Sequence, residues 1–179
     1  MVPKATNIVT VFGSSRSREG DGDYEQAREL GRLLAQAGFT ICSGGYSGSM
    51  EAVSRGAREG GGQTVGVTVE VIKRSGNEWL DEELREETIF RRIERMAVLG
   101  RAFVALRGGC GTLAEVALMM NLLYLGALEP RPLVLLGPAW RAAMDGLFQH
   151  LVVSEAERQL LTFLDTPVEA AHYLAEHTR

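Results

Sequence analysis

The residues of this chain best placed to do chemistry lie in the turn Arg107-Gly-Gly-Cys-Gly-Thr-Leu-Ala-Glu115. Gly108, Gly109, Cys110, Gly111 and Thr112 stand between an apolar run and a helical one. The first backbone N–H groups of a helix have no intrahelical acceptor, and the helix dipole adds positive potential there, so the turn is suited to hold a phosphate. Thr112 is placed as N-cap, and Glu115 three residues on completes the spacing of a capping box. A carboxylate at that position also faces whatever the turn binds. The positive helix end is expected to keep it ionised, as a base or a cation stabiliser must be.

Two more turns have the same character. Ser43-Gly44-Gly45-Tyr-Ser-Gly48-Ser-Met50 follows one apolar run and opens another helix, and its glycines can take backbone conformations closed to other residues. Phe12-Gly13-Ser14-Ser15-Arg16 offers small residues and hydroxyls, a weaker signal because every strand-to-helix turn accepts glycine. Two glycine-dense turns on strands able to lie side by side point to one shared anion site. Upstream of the third turn, Arg91, Arg92 and Arg95 share a helical segment that could bring a guanidinium to the same cleft. Spacing alone favours the plainer reading, a solvated basic face paired with Glu87 and Glu94.

Other chemistries lack their residues. The first strand is followed by Gly13-Ser-Ser-Arg-Ser rather than G-x-G-x-x-G, and no Gly-Lys-Ser/Thr follows any strand, which disfavours hydride transfer and ATP hydrolysis. A pyridoxal-phosphate enzyme needs a Schiff-base lysine, and only Lys4 and Lys73 are present, neither on a candidate turn. His150, His172 and His177 pair with no Cys or carboxylate at ligand spacing, so no metal is expected. Cys42 and Cys110 form neither a disulfide framework nor a zinc spacing, which suits a reducing cytosol. A net charge of -4 argues against a general nucleic-acid binder. Met1 to Asn7 lack the basic and apolar regions of a signal peptide, and no membrane-spanning run appears, so a cytoplasmic protein without membrane or nucleic-acid partners is expected.

These residues need a scaffold, and the alternation along the chain supplies one. Ile8–Phe12, Phe39–Cys42, Thr64–Val69, Ala102–Leu106 and Leu133–Leu136 read as buried strands. Helical spacing covers Tyr24–Ala37, Ser49–Glu59, about Glu82 to Leu99, Thr112–Leu125, Trp140–Val152 and Pro167–Glu176. The expected fold is α/β, a Rossmann-like three-layer sandwich with a mainly parallel central sheet, in a single domain over residues 1–179. Glu70 to Glu87 is least regular, and Lys73-Arg-Ser-Gly-Asn77 reads as a mobile loop beside the ligand edge. Val116 to Leu128 is apolar on nearly all sides, either a core helix or a helix with an interface.

In combination, Gly44-Gly-x-x-Gly48-x-Met50, Arg92-x-x-x-Met96 and Gly108-Gly-x-Gly-Thr-x-x-Glu115 resemble the Lonely-guy family. The resemblance runs from Phe12 to about Pro132. It implies a homodimeric phosphoribohydrolase that cleaves the N-glycosidic bond of a nucleoside 5′-monophosphate, of AMP or cytokinin type, and needs no cofactor. Arg92 and Glu115 match the family's catalytic pair, and the turns from Gly108 and from Gly44 match its phosphate and nucleotide contacts. Four positions depart from the usual pattern: Arg107 replaces a proline, Ile93 a lysine, Ser43 a glycine and Glu51 a glycine. Met50-Glu51-Ala52 looks closer to a smaller branch that includes a molybdenum-cofactor carrier. That branch implies the alternative of a non-catalytic nucleotide- or cofactor-binding protein.

Overall fold

A computed structural model describes residues 7–178. Lys4, the start of the chain read above for a leader, and Arg179 lie outside it. In chain order the elements are β1 (Ile8–Phe12), α1 (Gly22–Gln36), β2 (Thr40–Ser43), α2 (Ser49–Glu59), β3 (Thr64–Val69), β4 (Glu82–Glu86) and α3 (Ile89–Leu99). Then follow β5 (Ala102–Ala105), α4 (Cys110–Tyr124), β6 (Leu133–Leu136), α5 (Pro138–His150), α6 (Glu155–Arg158), β7 (Leu161–Leu164) and α7 (Pro167–His177). The seven strands form one sheet in the order β4-β3-β2-β1-β5-β6-β7, and every pairing is parallel.

The strands of the sheet's middle are apolar on both faces because both faces are covered. On one side Leu30 and Leu34 of α1, Val53 and Ala57 of α2 and Leu174 of α7 pack on Val9, Val11, Ile41 and Val104. On the other side Met96 and Leu99 of α3, Val116 and Met119 of α4 and Trp140 and Met144 of α5 pack on Phe12, Phe103, Ala105 and Leu135. The predicted three-layer Rossmann-like sandwich is the observed architecture.

Two strands were not expected. Glu82–Glu86 was read as the start of a helix, since Glu, Leu and Arg are good helix formers. Residues 82–86 instead pair with Val65–Val69 along the sheet edge, and tertiary pairing overrides local propensity. Their charges suit an edge strand, which they guard against pairing with another chain. The helix begins at Ile89, capped by Thr88, whose side chain accepts from the Arg91 amide at 3.2 Å. The other new strand, β7, pairs with β6 at the opposite edge.

Helices α1 and α2 meet through glycine. A Cβ on Gly56 would run into the Arg28 carbonyl oxygen, and one on Gly31 into the Val53 carbonyl oxygen. Both obstacles are backbone, so the helices themselves would have to part. Gly56→Ala is therefore expected to destabilise the protein by about 2–4 kcal/mol, although alanine is the better helix former. A lower urea midpoint at unchanged slope checks this, and an unchanged or higher midpoint contradicts it.

Candidate functional site

In this strand order the chain runs from β1 outward to β4, then crosses back to β5 on the other side of β1. That reversal opens a crevice at the carboxyl ends of β1 and β5, where ligands bind in open α/β sheets. All three glycine turns leave strands at this crevice. The turns after β2 and β5 are not neighbours, because β1 lies between them. The turn after β1, Gly13-Ser14-Ser15, is the weakest of the three as a sequence signal, yet it occupies the centre.

The first two turns interlock. The Ser49 amide and hydroxyl both donate to the Ser14 carbonyl, at 2.9 and 3.0 Å, and the Ser47 hydroxyl donates to the Ser15 carbonyl at 3.3 Å. Gly48 has φ +76, and a Cβ there would meet the backbone of Ser14 and Ser15, so no other residue fits. The Ser14 hydroxyl accepts from the Arg16 amide at 3.0 Å, which shapes the turn from within. Met50 is buried at the start of α2.

The third turn opens α4 one turn earlier than the expected Thr112 cap. The N-cap is Gly109, in extended conformation and without a capping side chain, and Cys110, Gly111 and Thr112 form the first helical turn. Their amides are the free donors of the site. Thr112 is buried and lies directly over Gly108, where a Cβ would overlap its hydroxyl. Cys110 is exposed with a free thiol.

The expected capping box is therefore absent, because Glu115 sits a further turn into the helix. Its side chain meets Arg92, with 3.4 Å between the Arg92 Nη1 and the Glu115 Oε1. The two side chains are only 12% and 10% exposed. Glu115 was expected to be held ionised by the helix end. Burial instead raises its pKa to about 7, and the adjacent Arg92 charge opposes the rise without cancelling it. A carboxyl poised there exchanges its proton near neutrality, a common property of groups that act in a reaction.

The three arginines of α3 divide. Arg91 reaches Glu87 at 3.9 Å with both side chains mostly exposed, and Arg95 pairs with Glu86 at 2.7 Å. Only Arg92 turns inward, against the expectation of a uniformly solvated face. Its Nε donates to the Val67 carbonyl of β3 at 2.7 Å, so the guanidinium is anchored to the sheet as well as to Glu115. Ile93, at the position of the usual lysine, packs on the core beneath the helix and delivers no charge to the cleft.

Sequence reasoning missed Asn77, Tyr46 and Asp23. The loop from Lys73 to Asn77, read as mobile, is tied to the second turn. The Asn77 amide donates to the Gly45 carbonyl at 2.7 Å, and its side chain to the Gly45 and Tyr46 carbonyls at 3.1 and 3.0 Å. The Tyr46 hydroxyl accepts from the Val69 amide at 2.9 Å, and Arg74 lies 5.6 Å over its ring. Arg107 pairs at the surface with Asp23 of α1 at 3.3 Å. An asparagine after Ser-Gly is the only hint the sequence offers of that tie.

An all-parallel, doubly wound sheet with glycine turns at its switch point defines a Rossmann-like α/β protein. The chain belongs to the SLOG cluster4 family, whose model matches residues 6–138, in keeping with the Lonely-guy resemblance of its motifs. It is similar to the cytokinin riboside 5′-monophosphate phosphoribohydrolase of Mycobacterium tuberculosis, 32% identical over an alignment of 155 positions, with 82% of each chain covered. It is also similar to the pyrimidine/purine nucleotide 5′-monophosphate nucleosidase of Escherichia coli, at 27% identity, with 97% of this chain covering 41% of that longer protein. Among solved structures it is similar to the molybdenum cofactor carrier protein of Chlamydomonas reinhardtii, at TM-score 0.74 and 25% identity over 95% of this chain and 96% of that one.

Proposed function

We propose that this chain hydrolyses the N-glycosidic bond of a nucleoside 5′-monophosphate of AMP or cytokinin type, releasing the base and ribose 5-phosphate. The observation that carries the reading is the buried Arg92–Glu115 pair beside the first turn of α4. The free amides of Cys110, Gly111 and Thr112, left open to a ligand at Gly109, where a side chain would meet no protein atom, take the 5′-phosphate. Gly13, Ser14 and Ser15 and the turn of Gly44, Gly45, Gly48 and Met50 line the rest of the nucleotide. As the bond from C1′ to the base nitrogen breaks, positive charge develops on the ribosyl ring, and ionised Glu115 stabilises it. Water adds at C1′, losing a proton to the carboxylate, and that proton passes on to the departing base nitrogen, which restores the ionised carboxylate. Arg92 holds Glu115 in place and favours its charged form.

The names of the phosphoribohydrolase and nucleosidase relatives support this reading. A second reading, a binder of a phosphorylated cofactor without turnover, draws support from the carrier protein of similar fold and from Ile93, which leaves the cleft without the usual lysine. We place the protein in the cytoplasm and treat the whole chain as one domain. No helix among the described residues is long and apolar enough to cross a membrane.

We also propose a homodimer. Helix α4 buries Val116, Met119, Met120 and Leu123 against the sheet, but leaves Leu113, Leu118, Tyr124 and Leu125 exposed. On the same face of the sheet, α3 exposes Ile89, Phe90 and Val98. An apolar surface of this kind fits a second copy. Leu118→Glu combined with Leu125→Glu is expected to halve the sedimenting mass. A wild-type chain that sediments as a monomer sinks the dimer.

Thermal denaturation with AMP, adenosine and ribose 5-phosphate tests the ligand class. At about 100-fold excess over its Kd, a nucleoside monophosphate is expected to raise the melting temperature by about 5–10 °C. Adenosine, lacking the phosphate, is expected to do far less. If no phosphorylated nucleoside or cofactor shifts the transition, both readings fail.

A further inference from the structure

The second turn contains adjacent glycines that are glycine for different reasons. Gly45 has φ +77, a left-handed conformation that disfavours any side chain. Gly44 is not among the glycines of positive φ, so its backbone would accept other residues. What excludes them is space. A Cβ on Gly44 would overlap the Arg92 Nη2 and would stand 2.5 Å from the Met50 sulfur and 3.3 Å from the Arg92 Cζ.

We propose that Gly44 is the positioning residue of the charged pair: its missing side chain leaves the space in which the Arg92 guanidinium lies, and thereby sets where Arg92 meets Glu115. The activity part of this statement rests on the proposed reaction, whereas the steric part does not.

Arg92 is held at three points of its planar group. Its Nε donates to the Val67 carbonyl, its Nη1 faces Glu115, and its Nη2 rests on Gly44. A guanidinium cannot bend, so pushing one arm away turns the whole fork about the Nε bond. The contact to Glu115, already 3.4 Å, would open beyond hydrogen-bond range. Met50 is not the obstacle, because a thioether side chain adapts at small cost. Nor can the turn retreat easily. The Gly45 amide donates to the Ser43 hydroxyl at 3.2 Å, while the Gly45 carbonyl accepts from Asn77. Arg92 must yield, and Gly44 acts on the site through it.

A double-mutant cycle of Gly44→Ala and Arg92→Lys tests this, because lysine has no second arm for the new methyl group to strike. Gly44→Ala alone is expected to lower the melting temperature by about 3–8 °C. In the Arg92→Lys background the same change is expected to move it by no more than about 1 °C. If Gly44→Ala alone fails to fold but the double variant folds, the rescue makes the same point. An equal loss in both backgrounds, failure of both to fold, or no loss from Gly44→Ala overturns the proposal.

Carbon-13 NMR of the Glu115 carboxyl adds a readout that mere overpacking would not move. Its titration midpoint is expected to rise in Gly44→Ala, as the guanidinium recedes, and to stay the same between Arg92→Lys and the double variant. If the wild-type protein releases no base from any nucleotide, the proposed reaction fails while the cycle still decides the role of Gly44.

Discussion

Glu115→Gln is expected to cut base release from AMP by about 10³-fold while leaving AMP affinity within a few-fold of wild type. Glutamine keeps the size and one hydrogen-bond acceptor but cannot carry the charge that a ribosyl cation needs, so the loss falls on kcat. The proposed phosphate contacts, through amides of the α4 turn, do not involve the carboxylate and should remain. Stability should move the other way. The folded-state pKa of Glu115 is raised to about 7, so the native protein holds a proton that the unfolded chain has already lost. The associated stability is fully present below the unfolded value near 4.5 and is lost as pH rises through about 7. The amount is on the order of 3 kcal/mol for a group this buried. Glu115→Gln removes that dependence, so the variant is expected to melt above wild type at pH 8 and close to it at pH 5. A variant that keeps wild-type turnover would remove Glu115 from the reaction.

Arg92→Ala is expected to reduce kcat/KM at pH 7 by about 10²–10³-fold, and to do so in a pH-dependent way. The Arg92 charge is the influence that lowers the Glu115 pKa against burial. Without it the carboxyl holds its proton to higher pH, and the acid limb of the kcat/KM profile, expected near pH 7 in the wild type, moves up. Part of the lost activity should therefore return between pH 8 and pH 9. The Val67 carbonyl also loses its donor, so some stability goes as well. Arg92→Lys keeps the charge and is expected to show a smaller displacement of the limb. A uniform loss of activity at every pH would mean that Arg92 binds substrate rather than tuning Glu115.

The core of the fold was open to sequence reading because the middle strands are apolar on both faces and separated by glycine turns and helical spacing. The two missed strands are edge strands, where that signal fades. Glu82–Glu86 carries charges on its open side, and Leu161–Leu164 is a four-residue run with no glycine turn after it. The site was readable as a set of turns, but its geometry was not. Arg91 and Arg95, four residues apart, share the helix face that meets Glu86 and Glu87, and Arg92 lies one 100° step round toward the sheet. Spacing shows that step but not which side the sheet is on. Thr112 and Glu115 fit a capping box in sequence, yet the helix begins at Cys110, which places both inside it and buries the carboxylate. The ionisation of Glu115 follows from that depth, and depth has no local sequence signature.

The central claim is that this site breaks a glycosidic bond rather than merely holding a nucleotide. Its most direct test is product analysis of AMP and a cytokinin riboside 5′-monophosphate incubated with the purified protein, alongside Glu115→Gln. Adenine or the cytokinin base, formed in equal amount with ribose 5-phosphate and cut by about 10³-fold with the variant, is the predicted result. Nucleotide that binds saturably yet is recovered intact, or that yields a nucleoside and phosphate, would contradict it.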